Sequence, residues 1–141
     1  EKDKLYRALV LANLITIHQK TGLGRLSAYC GVVSAACGSG TGITYLAGGT
    51  LEQIEKTIVN TLANISGIVC DGAKASCAAK IASSIDAAIV AHLLAMRGAS
   101  FEPDTGIVKE TAENTISAVG RLGREGMKET DVEVLRIILD K

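Results

Sequence analysis

Aromatic side chains are almost missing from this chain, which has one Phe (Phe101), three Tyr and no Trp in 141 residues. A core therefore has to be assembled from Ala, Leu, Ile and Val, side chains small enough to let helices approach closely. The same shortage removes the stacking platforms on which single-stranded nucleic acids are bound. Net charge is missing as well: it sums to zero, and Lys and Arg never gather beyond pairs. No electrostatic footprint for nucleic acid results. Proline occurs once, at Pro103, and no run alternates long enough to argue a strand; "GIVC" (67–70) comes nearest. With 48% hydrophobic and only 21% charged residues, the chain is not disordered. Four cysteines in a chain with that much apolar material do not resemble a secreted disulfide scaffold, and a reducing, cytoplasmic setting is expected.

The opening "EKDKLYRALV" shows no charged-then-apolar leader and starts inside a helical pattern, so a piece of a longer chain is expected, without a signal peptide. From Leu26 to Leu51 there is no charge, a length that would admit a membrane span. Its "GSGTG" and "GGT" are too rich in Gly, Ser and Thr for a lipid-facing helix, so a buried, interrupted helix is expected and no membrane.

Almost every segment reads as helix, and the whole as one all-α domain, 1–141. Residues 3–20 place Leu5, Leu9, Ala12 and Ile15 at three-to-four spacing, with Gly22 as a stop. A segment from 25 to 37 runs into Gly38, Gly40 and Gly42, where a continuous helix is not expected. Thr50 and Gln53 form a capping box ahead of a helix over 51–66. The longest candidate, about 74–97, carries Lys80, Asp86 and His92 six apart, so they point in three directions and leave no polar face. That pattern predicts a helical bundle arranged around a central, buried, Ala-rich helix. After "ASFEPDTG" come helices over 106–122, with a stripe of Val108, Ala112, Thr115, Val119 and Leu122, and over 131–140, with Thr130 and Glu133 as a second capping box. Faces made of small residues favour association into a homo-oligomer.

Chemistry has few candidates. Cys30 and Cys37 sit seven apart at a helical offset, about 10 Å along an axis and too far for an intrahelical disulfide. Cys70 and Cys77 share that spacing, but Gly72 lets the chain turn between them, and Cys77 near a helix start can be held as thiolate. Spacing alone leaves these as a suggestive cluster or as packing residues, since a free cysteine often serves as a small hydrophobe. Asp71 and Lys74 either orient a substrate or are a helix cap and a solvated lysine. His18 reads as an exposed cation at a helix end, and His92 as a satisfied core histidine. "GSGTG" has neither the preceding strand nor the following Lys of a phosphate loop; it either frees backbone amides near the cysteines or lets helices pack closely.

"GRLSAYCG", "GTGITYLAGG", "NISGIVCDGAKASCAAK" and "PDTGIV" resemble the C-terminal half of the serine dehydratase alpha-chain-like family, which includes iron–sulfur L-cysteine desulfidases. The resemblance runs over essentially the whole chain. It implies that Cys30, Cys70 and Cys77, separated by forty and then seven residues, hold a 4Fe-4S cluster with one iron left without a cysteine. It further implies elimination of water or sulfide from L-serine or L-cysteine to give pyruvate and ammonia, with no pyridoxal phosphate. Asn64 and the pair Ala75-Ser76 depart from the family's usual residues. The family's larger amino-terminal portion is not in this chain, so the implied partners are that portion, which would carry the base, and a small amino-acid substrate. Cys37 is expected to be core. The alternative is a non-catalytic helical interaction domain whose cysteines only pack.

Overall fold

A computed structural model describes residues 1–140. Six α-helices follow one another: α1 (Lys2–Leu23), α2 (Gly31–Leu46), α3 (Leu51–Ile65), α4 (Cys77–Met96), α5 (Ala112–Arg121) and α6 (Lys128–Leu139). A single π-helical turn, Leu122–Gly126, joins the last two. The expected all-α class is what the chain forms. Pairing between extended segments is limited, among the described residues, to one isolated antiparallel bridge between Tyr29 and Val69.

Local chemistry accounts for several boundaries. α1 ends at Gly24, whose φ of 84° is left-handed, while its amide closes onto the Lys20 carbonyl. Gly22, the expected stop, lies inside the helix. At α3 the capping box forms as its sequence predicts: the Gln53 amide donates to Thr50 Oγ1, and the Gln53 side chain accepts from the Thr50 amide. α5 starts later than expected, because Thr111 caps it by accepting from the Asn114 amide. The second expected box fails. Thr130 falls inside α6, which begins at Lys128.

Two larger expectations are corrected. The bundle is centred on α2, not on α4. α2 packs against α1, α3 and α4, and nine of its sixteen residues are buried. It also runs unbroken through Gly38, Gly40 and Gly42. Glycine costs a helix about 1 kcal/mol relative to alanine, and the neighbours show what that cost allows. A Cβ on Gly38 would lie 2.3 Å from the Ala12 carbonyl oxygen and 2.2 Å from Thr16 Oγ1; one on Gly42 would meet the Ala8 carbonyl at 3.2 Å. Gly38 and Gly42 form a flat face onto which α1 lies nearly backbone to backbone, while Gly40 faces Ala88 of α4 and Thr57 of α3.

α4 turns a small-residue face inward (Ser84, Ala87, Ala88, Ala91 and Ala95) and leaves Ile81, Ile89, Val90 and Leu93 exposed. By length and composition it could cross a membrane, although only its small face is packed in the protein. α1 behaves in the same way. Ala8, Gln19 and Leu23 are buried, whereas Leu5 and Leu9 of the expected stripe are exposed. Where α2, α3 and α4 meet, Thr44 Oγ1 pairs with Thr57 Oγ1 at 2.8 Å and with His92 Nδ1 at 2.9 Å. His92 is thus satisfied, as its sequence context predicts, but half-buried and not in the core. His18 is exposed and joins α1 to α5 through Glu113 at 2.8 Å.

Candidate functional site

The segments that carry Cys30 and Cys70 are brought together by the Tyr29–Val69 bridge. Leading into α2, residues 28–30 run extended against 68–70: the Cys30 amide donates to the Ile68 carbonyl at 3.0 Å, and the Cys70 amide to Ala28 at 2.6 Å. Side chains alternate across an extended pair. Tyr29 and Val69 are the paired residues, with Tyr29 in the core; Cys30 lies opposite Ile68 and Cys70 opposite Ala28, so the two cysteines flank the bridge diagonally on one side of the pair. Residues separated by forty positions thereby become neighbours.

Cys77 arrives by a turn. Gly72 takes a φ of 91°, which a side chain would strain, and the Cys77 amide closes onto the Lys74 carbonyl at 2.9 Å as α4 begins. Its thiol donates to the Gly72 carbonyl at 3.5 Å. Cys30 is the cap residue of α2 and Cys77 the first residue of α4, so each of these thiols lies at a helix N-terminus, the end that favours an anion. Cys70 and Cys77 are half-buried, and Cys30 retains 9% exposure.

Asp71 organises the turn. It accepts from Lys74 and, at 2.5 Å, from Lys80, and these two hydrogen bonds hold its carboxyl down to about 2. Lys80 also donates to the Val69 carbonyl at 2.8 Å. Asp71 and Lys74 are visible in the sequence as part of the cysteine loop, whereas Lys80 is marked there only by its place one turn after Cys77. Lys74 reaches Asp71 alone and is largely solvated.

Cys37 stands apart. It is fully buried in the cluster formed by Leu23, Tyr29, Val33 and Leu62, and burial pushes its thiol up to about 12, with only a smaller opposing effect from the Gln19 side chain. As expected, it is core. Burial also raises the Tyr29 phenol, helped by the nearby Cys37 and Cys30 thiols.

All four cysteines are free thiols. Among the described residues no three His, Cys, Asp or Glu side chains close around a point that would hold a metal ion. The donor set is nevertheless of the right chemistry. Three thiols at one end of the bundle, two of them accessible, suit a soft iron–sulfur group and not a hard cation. Beside Cys70 opens a recess of about 290 Å³, whose walls include Lys20, Arg25, Gly31 and Gly72, with Asp131 and Leu135 of α6 opposite.

Residues 1–136 match the family model for the serine dehydratase alpha chain. The chain belongs to that family. It is 60% identical over 140 residues to a UPF0597 protein of Lachnoclostridium phytofermentans, covering 99% of this chain and 34% of that one. A UPF0597 protein of Desulfitobacterium hafniense is 57% identical (99% and 33% covered), and one of Treponema denticola 54% (98% and 32%). The chain thus spans about a third of the length of the curated relatives it matches. No solved structure matches it.

Proposed function

We propose that this chain is the cluster-holding part of an iron–sulfur lyase that eliminates water from L-serine or hydrogen sulfide from L-cysteine. The observation supporting this reading is the bridge that pairs the backbone segment holding Cys30 with the one holding Cys70, followed by a short turn that leads from Cys70 to Cys77. Cys30, Cys70 and Cys77 would hold a 4Fe-4S cluster. Its chemistry would be that of a Lewis acid, polarising the substituent that leaves Cβ.

The chain's own groups would do the rest of the local work. Lys20 and Arg25 offer the recess cationic partners for a substrate carboxylate, and Asp131, across it, a partner for the ammonium group. The apolar α6 residues Val134, Leu135 and Ile138 line the same recess and would limit water beside Cys70. Loss of the Cα proton and the Cβ substituent yields an aminoacrylate, which water converts to pyruvate and ammonia. The base belongs, in this reading, to the two thirds of the relatives' length that this chain does not span, as does any companion beta chain. A reducing cytoplasm follows as the setting in which free thiols and such a cluster persist.

Anaerobic treatment with iron and sulfide is expected to give a brown protein with visible thiolate-to-iron absorption. Cys70→Ala is expected to stay colourless, and Cys37→Ala to colour like the parent. In the complete enzyme, pyruvate release from both substrates should vanish with Cys77→Ala; retained turnover would refute the ligand assignment.

One observation favours a second reading, an interaction domain. Tyr6, Val10, Leu14 and Ile17 form a stripe on the outer side of α1 and are 57–60% exposed. A helix apolar on both sides is ordinarily covered on both. A colourless protein that assembles through this stripe would support that reading.

A further inference from the structure

Lys80 is a cation in the first turn of α4, the end of a helix where positive charge is disfavoured. Its side chain is only 26% exposed. Something other than solvation holds it there, and its partners show what. An ammonium group has three donors. One goes to the carbonyl of Val69, the residue before Cys70, at 2.8 Å; another goes to the carboxylate of Asp71, the residue after Cys70, at 2.5 Å. The backbone carrying Lys80 is the turn that begins with Cys77. Val69 in turn pairs with Tyr29, the residue before Cys30. A single ammonium therefore binds the residues on both sides of Cys70 from one turn after Cys77, and is linked to the Cys30 segment through the Val69–Tyr29 bridge.

We propose that Lys80 is a positioning residue for the three-cysteine site: it fastens the Cys70 arm to the start of α4 and supplies an internal positive charge facing the thiols. This rests on the cluster-holding reading for its purpose, but the fastening itself is a property of the metal-free chain. Asp71 hydrogen bonding is the main cause that strengthens Lys80's hold on its proton, and negative charge on Cys30 or Cys77 strengthens it further. Lys74 differs. It reaches only Asp71, is about half exposed, and makes no bond to the bridge residue Val69.

The test uses Lys80→Met, Lys80→Arg and Lys74→Met in this chain, read in two ways. In metal-free protein, amide hydrogen exchange over 69–77 should speed up about tenfold or more in Lys80→Met, because hydrogen bonds to a charged group are lost. Lys80→Arg and Lys74→Met should exchange like the parent. After anaerobic loading, Lys80→Met should bind less iron per chain, and the cluster it does bind should have a more negative midpoint potential, one positive charge having been removed. Parental exchange and iron content in Lys80→Met would overturn the proposal. So would equal damage from Lys74→Met, which would make the effect one of general ion pairing, or an Lys80→Arg chain as open as Lys80→Met. Should Lys80→Met not fold, Lys80→Gln, which keeps a donor without the charge, takes its place under the same criteria. If the parent chain takes up no iron, the cluster-holding reading fails, while hydrogen exchange still decides whether Lys80 fastens the arm.

Discussion

α2 and α4 invert a common intuition. α4 is the more conventional apolar helix, rich in Ile, Val and Leu, yet Ile81, Val90 and Leu93 face outward. α2 carries "GSGTG" and is packed from three sides. The difference shows that position in this bundle is decided by how closely backbones can approach. Where aromatics are scarce, dense packing comes from flat, small-residue faces brought together, and many of the bulkier side chains are left over for the outside. These outer faces are free for whatever else the longer relatives contain.

The sharpest way to break this comparison is Gly38→Ala. Its methyl would meet the Ala12 carbonyl oxygen at 2.3 Å, a backbone atom that can yield only if α1 moves. Overpacking of this kind is expected to cost about 3 kcal/mol in a urea titration, despite alanine's better helix propensity. A neutral outcome would mean that the helices do not lie so close.

Next comes the core thiol. Cys37 keeps its proton in the folded chain to about pH 12, against an ordinary value of 9.0. Above about pH 9 the unfolded chain therefore holds fewer protons than the folded one. Stability contributed by this group is complete below that pH and falls as pH rises, by up to about 1.4 kcal/mol per unit. Cys37→Ala should flatten the decline between pH 9 and 11, at a cost of about 1 kcal/mol at neutral pH. An unchanged slope would place the thiol nearer water.

Gly40→Ala should be milder than Gly38→Ala. Its contacts are 3.1–3.3 Å, to Ala88 and to the Thr57 methyl, and the gain in helix propensity offsets most of the strain, leaving about 1 kcal/mol or less. On the other side of the comparison, Leu93→Gln on the outer face of α4 should change stability by no more than about 0.5 kcal/mol in this chain. A loss of several kcal/mol there would show that α4 is covered by a partner even in isolation.

Much of this was legible beforehand, for reasons that can be located. The Thr50–Gln53 cap and Cys37 as core follow from interactions within a few positions or from side-chain type. The continuity of α2 was not legible, because glycine's helix penalty is local while its compensation is the carbonyl of Ala12 on another helix. The stripe expected on α1 failed for the same reason: periodicity finds apolar faces but cannot tell which one meets a neighbour. At the site, the types and spacing of the cysteines were visible, whereas the Tyr29–Val69 bridge spans forty residues and involves only main-chain atoms.

By itself, then, the sequence determined that the chain is helical, where several helices begin, which family it belongs to, and which cysteine lies in the core. These are short-range or compositional properties, set by backbone propensity, capping chemistry and the free energy of burying a thiol. Only the tertiary structure decided that α2 is the centre, that α1 and α4 show apolar sides to the outside, and that Lys80 reaches both flanks of Cys70. Those depend on distances between segments remote in the chain, and a close approach of two backbones leaves no mark on either one read alone.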